Sequence, residues 1–278
     1  MTQDALTGWD DETNAEAYAS FARTYPMYSA TSRDLAARAH LTDSRIVVDL
    51  CGGTGATAEA ILALAPPYAQ VISFDNAPAM QRIGRRTLSD PRLSWVTARA
   101  EELAEHAPAD GVDAVVCNSA IWKTDVPAVF AAVRRILRPG GRFVFNVGGG
   151  FAGVTHPEAQ ASSVNPSLGS LIDKIAARDH GTSPAPVSGV PRLPFTAITS
   201  HLTDAGLTLV ETDVIAQHTT MAERKAWLSI PVFARPQHGF SYDQQMAILQ
   251  EAYAGTRPDD VTVTSWLVVV AQFDGAQA

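Results

Sequence analysis

Between residues 45 and 148, short runs of β-branched apolar residues alternate with segments whose apolar positions recur every three to four residues. The first pattern predicts buried strands and the second amphipathic helices. Strands are expected over "RIVVDL" (45–50), "QVISFD" (70–75), "LSWVTA" (93–98), "VDAVVCN" (112–118) and "RFVFNVG" (142–148). Helices are expected over 54–65, 77–88 and 126–137, the last stopped by "RPGG". Residues 12–40 carry helical periodicity, with Tyr18, Phe21, Tyr25 and Tyr28 along one stripe. After 148 the alternation breaks. A Gly-, Pro- and Ser-rich stretch at 149–195 surrounds a helical segment at 167–180, followed by helices at 195–206, 219–229 and 241–254 and strands at 207–218 and 261–273.

Strands that are apolar throughout, each followed by a helix, imply a parallel sheet covered on both faces. Right-handed crossovers place the C-terminal ends of the strands at one edge, where ligands of such sheets bind. The expected fold is α/β: a Rossmann-like, doubly wound, seven-stranded, mostly parallel sheet with its last strand antiparallel and a lid inserted after strand five. Residues 1–44 are expected to form an N-terminal helical cap on a domain spanning 45–278, with 149–195 as the lid.

Hydrophobic residues make up 46% of the 278 and charged residues 18%, enough apolar content for a sizeable core. The net charge of −8 argues against a partner that is a nucleic-acid backbone or an anionic membrane surface. The longest uncharged apolar stretch, "VTVTSWLVVVAQF", is too short to span a bilayer. The N-terminus shows no export-signal pattern, and the two cysteines, Cys51 and Cys117, end probable strands, so a reducing cytoplasm is expected. No spacing suggests a metal site.

The chemistry concentrates in "DLCGGTG". Asp49 closes the first strand, and Gly52, Gly53 and Gly55 follow, letting the backbone turn tightly against a ligand at the start of a helix. The second strand ends in Asp75, where nucleotide sites keep an acid for the ribose hydroxyls. An acid opening the motif, and no G-x-G-x-x-G, separates this loop from dinucleotide sites. The loop resembles motif I of the class I S-adenosylmethionine-dependent methyltransferases, (D/E)-x-G-x-G-x-G, with Cys51 in place of the first glycine. "FDNAPAM", "TARAEEL", "VDAVVCNSAIW" and "ILRPGGRFVFN" resemble the later stretches of that family, so the likeness covers roughly 45–148.

The resemblance implies S-adenosyl-L-methionine as cofactor and S-adenosyl-L-homocysteine as product. It implies Asp49 near the methionine amino group, Asp75 on the ribose, and Asn76 and Met80 flanking the adenine. Arg99 stands where many members carry an aspartate, so the adenine edge falls to Ala100 and Glu101. Cys51 and Asn118 line the cofactor pocket, and Tyr18 reaches it from the N-terminal helix. Trp122 and Tyr25 are assigned to the acceptor. Lys123 and Asp125 read as a solvated turn, and Cys117 as a small buried hydrophobe. The Cβ of Cys51 implies a turn that needs none of glycine's special backbone angles there. His156, just past strand five, is the candidate general base.

The implied activity is in-line methyl transfer to a small-molecule acceptor through O, N or C, by a monomer or homodimer acting on neither nucleic acid nor membrane. The alternatives are a protein or RNA methyltransferase, or a cofactor-binding protein of the same fold with another activity. Incubation with labelled cofactor separates them.

Overall fold

A computed structural model describes residues 8–161, 167–181, 193–237 and 239–275. The parts of the expected lid at 162–166 and 182–192 lie outside the described residues. The chain begins with α1 (Glu12–Thr24) and α2 (Met27–Arg38). The helical run breaks between them because Pro26 lacks an N–H and forces the residue before it to be extended, as Tyr25 is (φ −119°, ψ 142°). Then come β1 (Ile46–Leu50), α3 (Ala56–Leu64), β2 (Gln70–Asp75), α4 (Pro78–Thr87), β3 (Leu93–Thr97), α5 (Leu103–His106), β4 (Val112–Cys117), α6 (Val126–Ile136) and β5 (Leu137–Gly148). The C-terminal part adds α7 (Gly149–Ala152), α8 (Pro157–Ala161), α9 (Leu168–His180), α10 (Phe195–Ala205), β6 (Thr208–Thr220), α11 (Met221–Leu228), α12 (Tyr242–Ala254) and β7 (Val261–Gln272).

The sheet has seven strands in the order β3-β2-β1-β4-β5-β7-β6. The first five pair parallel, and β7 runs antiparallel between β5 and β6. Period-two alternation sends Val48, Leu50, Phe143 and Phe145 into a core with α6 and α10, while Val47, Val71 and Val144 join Leu35 and Ile61 on the other face. Both faces are therefore covered, as a parallel sheet requires.

After β3 the chain crosses back over β1 to lay down β4, so the switch point falls between β1 and β4. Helix α1 is fastened beside that point. Glu12 and Glu16 pair with Arg82 and Arg86 of α4, and the Asp10 carboxylate accepts the Ala79 N–H (2.9 Å) at the first turn of α4. Among the described residues no helix is long and apolar enough to cross a membrane.

Candidate cofactor and acceptor site

The loop after β1 is held by its own backbone and by two acids. The Gly52 N–H donates to the Phe74 carbonyl (3.1 Å) and the Gly55 N–H to that of Gly52 (2.8 Å). Asp75 ties the ends of β1 and β2 together, accepting the Gly53 N–H on Oδ2 and the Ala77 N–H on Oδ1, each at 2.8 Å. Asp49 is fully buried beneath the loop; its Oδ2 accepts from Ser73 Oγ (3.0 Å) and Ala58 N–H (3.1 Å). Its Oδ1 is buried and has no hydrogen-bond partner among the described residues. Burial, with the charge of Asp75 adding to it, pushes the Asp49 carboxyl up to about 7 against the pull of those two donors. Burial raises Asp75 as well.

Cys51 corrects an expectation. Its φ is +57°, so the turn does adopt the left-handed conformation that glycine favours. The side chain lies within reach of the Cys117 thiol at the end of the adjacent strand. That contact, followed by burial, raises the Cys51 thiol well above its ordinary value, so it stays protonated and a poor nucleophile. Cys51→Gly is therefore expected to leave turnover intact and to keep the melting temperature within a few degrees. Glycine removes a left-handed penalty of roughly 1–2 kcal/mol while forfeiting the Cys117 contact. Lost turnover would show that the thiol takes part in the chemistry.

Lys123 is a second correction. It is no solvated turn residue. Its Nζ lies over the Trp9 ring at 4.3 Å and the Trp122 ring at 5.3 Å, and it is close enough to feel Cys51, Asp75 and Cys117. Burial pulls its amine down to about 8 against those attractions. The turn around it is fixed by α6, whose N-cap is the exposed Asp125. The adjacent pair "WK" in the turn between β4 and α6 was the available sequence signal.

The other predicted residues separate into groups. Met80 is buried, with its Cε beside Gly53, and Asn76 is exposed at the same edge. Tyr18 is drawn toward the acids: burial, then Tyr28, Asp49 and Asp75, raise its phenol. Ala100 is buried in the turn after β3. Glu101 beside it already serves the Asp125 N–H (2.9 Å) and Arg99 Nε (3.3 Å). Asn118 is a brace, its Nδ2 donating to Thr31 and Ser32 of α2 and its Oδ1 accepting from Asn146 of β5. Trp122 stacks on Phe151 at 4.4 Å. Tyr25 is turned to a different place, a groove of about 510 Å³ shared with Phe21, Lys225, Ile230 and Tyr253. His156 donates its N–H to Ser265 Oγ (2.8 Å), and its Nδ1 accepts the Glu158 N–H (3.2 Å), leaving Nε2 free of that bond.

Above these residues the N-terminal and C-terminal segments close a ring of aromatics that periodicity along either segment does not reveal. Tyr18 packs on Tyr28 (4.9 Å) and Trp9 (5.5 Å), Trp9 on Phe233 (5.5 Å), and Phe233 on Trp227 (4.0 Å). Trp227 Nε1 closes the ring by donating to the Tyr28 hydroxyl (3.1 Å).

Residues 47–141, from β1 into β5, match the family model described as a methyltransferase domain. The chain is 35% identical over 134 residues to trans-aconitate 2-methyltransferase of Azoarcus sp. (strain BH72), an overlap covering 48% of each chain. The chain is thus similar to methyltransferases over part of its length. Over 101 residues it is also 35% identical to malonyl-[acyl-carrier protein] O-methyltransferase of Xylella fastidiosa (strain M23), covering 35% of this chain and 32% of that one. The chain thus spans about half the length, or less, of these curated relatives. Among solved structures, geranyl diphosphate C-methyltransferase from Streptomyces coelicolor A3(2), in complex with Mg2+, geranyl diphosphate and S-adenosyl-L-homocysteine, shares the fold. Its TM-score is 0.51 at 14% identity, covering 88% of this chain and 79% of that one.

The loop after β1 presents groups that suit S-adenosylmethionine chemically. A buried carboxylate oxygen without a partner favours a cation, and S-adenosylmethionine carries an ammonium and a sulfonium. At Gly52 a Cβ would stand 2.2 Å from Asp49 Oδ2, so the loop can lie on the acid only without a side chain there. Asp75 keeps lone pairs beyond the two backbone bonds it accepts, and these suit hydroxyl donors.

Proposed function

We propose that the chain binds S-adenosylmethionine at the β1–α3 loop and directs its methyl group to a small-molecule acceptor. The observation that carries this reading is the buried, unpartnered Asp49 Oδ1 under a glycine loop at the sheet's switch point. Bound S-adenosylmethionine supplies an electrophilic methyl, and the protein's own task is to orient an acceptor and exclude water. Asp49 faces the cationic methionine end and Asp75 the ribose; Met80 and Ala100 border the adenine, with Asn76 and Glu101 at its rim. Residues 8–44 act as a cap over this edge, fastened to α4 by the Glu12, Glu16 and Asp10 contacts, and the described parts of 149–195 as its facing wall. Trp122 with Phe151, and Tyr18 with Trp9, line the acceptor side.

A cytoplasmic small-molecule enzyme fits these features. Two relatives are named for the compounds trans-aconitate and malonyl-[acyl-carrier protein]. Labelled S-adenosylmethionine incubated with the protein and a cell extract is expected to place label in small metabolites. Label in protein or RNA instead would overturn the acceptor class, and no transfer would favour a non-methylating activity.

Two groups compete to take a proton from the acceptor. If His156 is the base, acting through the Nε2 that its bond to Glu158 does not use, His156→Ala lowers kcat at least tenfold with S-adenosylhomocysteine affinity unchanged. Lys123 is favoured by its surroundings, since an amine pulled to about 8 is neutral above that pH and a neutral amine sits more easily beside a sulfonium. If Lys123 is the base, turnover rises with pH through about 8, Lys123→Met removes that rise, and His156→Ala leaves kcat unaltered.

A further inference from the structure

Two strand ends that flank the switch point carry the same unusual backbone turn. Among the described residues only His40, Cys51 and Ser119 hold a positive φ without being glycine. Cys51 directly follows β1, and Ser119, at φ +61°, lies just beyond β4. A serine in the left-handed region is strained by its Cβ, so its surroundings must hold it there. The Ser119 N–H donates to Asn146 Oδ1 at 2.6 Å, and Asn146 Nδ2 donates to Asn118 Oδ1 at 3.0 Å. The Ser119 hydroxyl donates to the same Asn118 oxygen at 2.9 Å.

Asn146 contrasts with the strand that carries it. It is fully buried in β5, where Phe143, Val144, Phe145 and Val147 around it are apolar and equally buried. A carboxamide at such a position must lose its water, which a valine would not, and it is tolerated because both its ends are hydrogen-bonded. Those bonds do not serve the sheet ladder; they hold the chain as it leaves β4. Leucine would offer neither group, and ionised aspartate no donor.

What Ser119 directs comes next along the chain. Ile121–Lys123 form a single short helical turn. Ile121 is buried in the core, Trp122 stacks on Phe151 at 4.4 Å, and Lys123 Nζ lies 4.3 Å from the centre of the Trp9 ring. Relaxing Ser119 into either common backbone region would swing this turn and move both Trp122 and Lys123.

We infer that Asn146 is a positioning residue for methyl transfer: its carboxamide locks Ser119 in the left-handed conformation that aims Trp122 and Lys123 at the acceptor side. The inference rests on the proposed methyl transfer and adds a residue that need touch neither cofactor nor acceptor.

The test labels the full chain with 5-fluorotryptophan, giving one fluorine signal for each of its five tryptophans. The signals of Trp122 and Trp95 are assigned by replacing each with phenylalanine. In Asn146→Ala the Trp122 signal is expected to move by several linewidths, while that of Trp95, in β3, stays in place. Transfer of label from S-adenosylmethionine to a cell extract should fall at least about tenfold, because small misplacements of a reaction's surroundings are costly. S-adenosylhomocysteine affinity, measured by calorimetry, should stay close to that of wild type. Adding Ser119→Gly to Asn146→Ala should return the Trp122 signal most of the way and raise transfer severalfold, because glycine holds a positive φ unaided. An amide that only filled the strand would gain nothing from that glycine. Should Asn146→Ala not fold, Ser119→Val takes its place. A β-branched residue strains against φ +61° without altering β5, and it should give the same displacement and the same loss of transfer. An unmoved Trp122 signal, unchanged transfer, or no recovery with glycine overturns the inference. If the wild-type chain neither binds S-adenosylhomocysteine nor transfers label, the methyl-transfer reading falls by itself, and the fluorine signals still decide whether Asn146 sets the turn.

Discussion

Asp75→Ala is expected to weaken S-adenosylhomocysteine binding by about 100-fold or more in a calorimetric titration. The carboxylate joins two strand ends by accepting the Gly53 and Ala77 N–H groups, and in the proposed complex it also accepts from the ribose. Hydrogen bonds to a charged group are worth about 1.5–3 kcal/mol each, so losing two gives about 3–6 kcal/mol, or two to four decades of affinity. Because its side chain is only half-buried, the variant should still fold, and the loss should show in binding more than in melting temperature. Asp75→Asn keeps one acceptor oxygen and should fall between the two. Undiminished binding by Asp75→Ala would end the ribose assignment.

Gly52→Ala should destabilise the fold itself. The added Cβ would lie 2.2 Å from Asp49 Oδ2 and 2.3 Å from Ser73 Oγ, two atoms already hydrogen-bonded to each other at the floor of the loop. Neither is the far end of a flexible chain, so the loop must lift or Asp49 must leave its partners. About 3 kcal/mol of unfolding free energy should be lost in urea, with cofactor-product binding lost as well. Gly150→Ala, where nothing lies within 4 Å, is the control and should be nearly neutral. Equal stability of the two variants would show that the floor of the loop yields.

Much of the sheet was legible because parallel strands buried on both faces are largely apolar, which marks β1, β4 and β5 directly. The insertion of β7 between β5 and β6 was not, since chain order does not specify which strand pairs with which. The turn between β1 and α3 was legible because a glycine cluster after an apolar run marks a tight strand-to-helix turn. Cys51 was misread because the backbone angle at a turn is set by the path of the chain in the fold, which motif spacing does not encode. Lys123 was misread for a related reason. A lysine in a turn is ordinarily solvated, and what buries this one is Trp9, from a segment more than one hundred residues earlier. Asn118 and Glu101 sit where the family pattern expects them, yet their side chains are occupied by contacts that spacing does not encode.

The central claim is that a buried acid under a glycine loop receives the cationic end of the cofactor. In the free protein Asp49 is neutral below about 7 and ionised above it. Its folded value lies above the unfolded one, so its contribution to stability is present at acid pH and lost as pH rises through about 7. A bound ammonium favours the ionised form, so binding below that pH must expel a proton. The measurement is calorimetric titration of the wild-type protein with S-adenosylhomocysteine at about pH 6 and about pH 8.5, in buffers of different ionisation enthalpy. The predicted result is one ligand per chain, weaker at pH 6, with close to one proton released there and almost none at pH 8.5. No binding, or binding whose affinity and proton count are the same at both pH values, would contradict it.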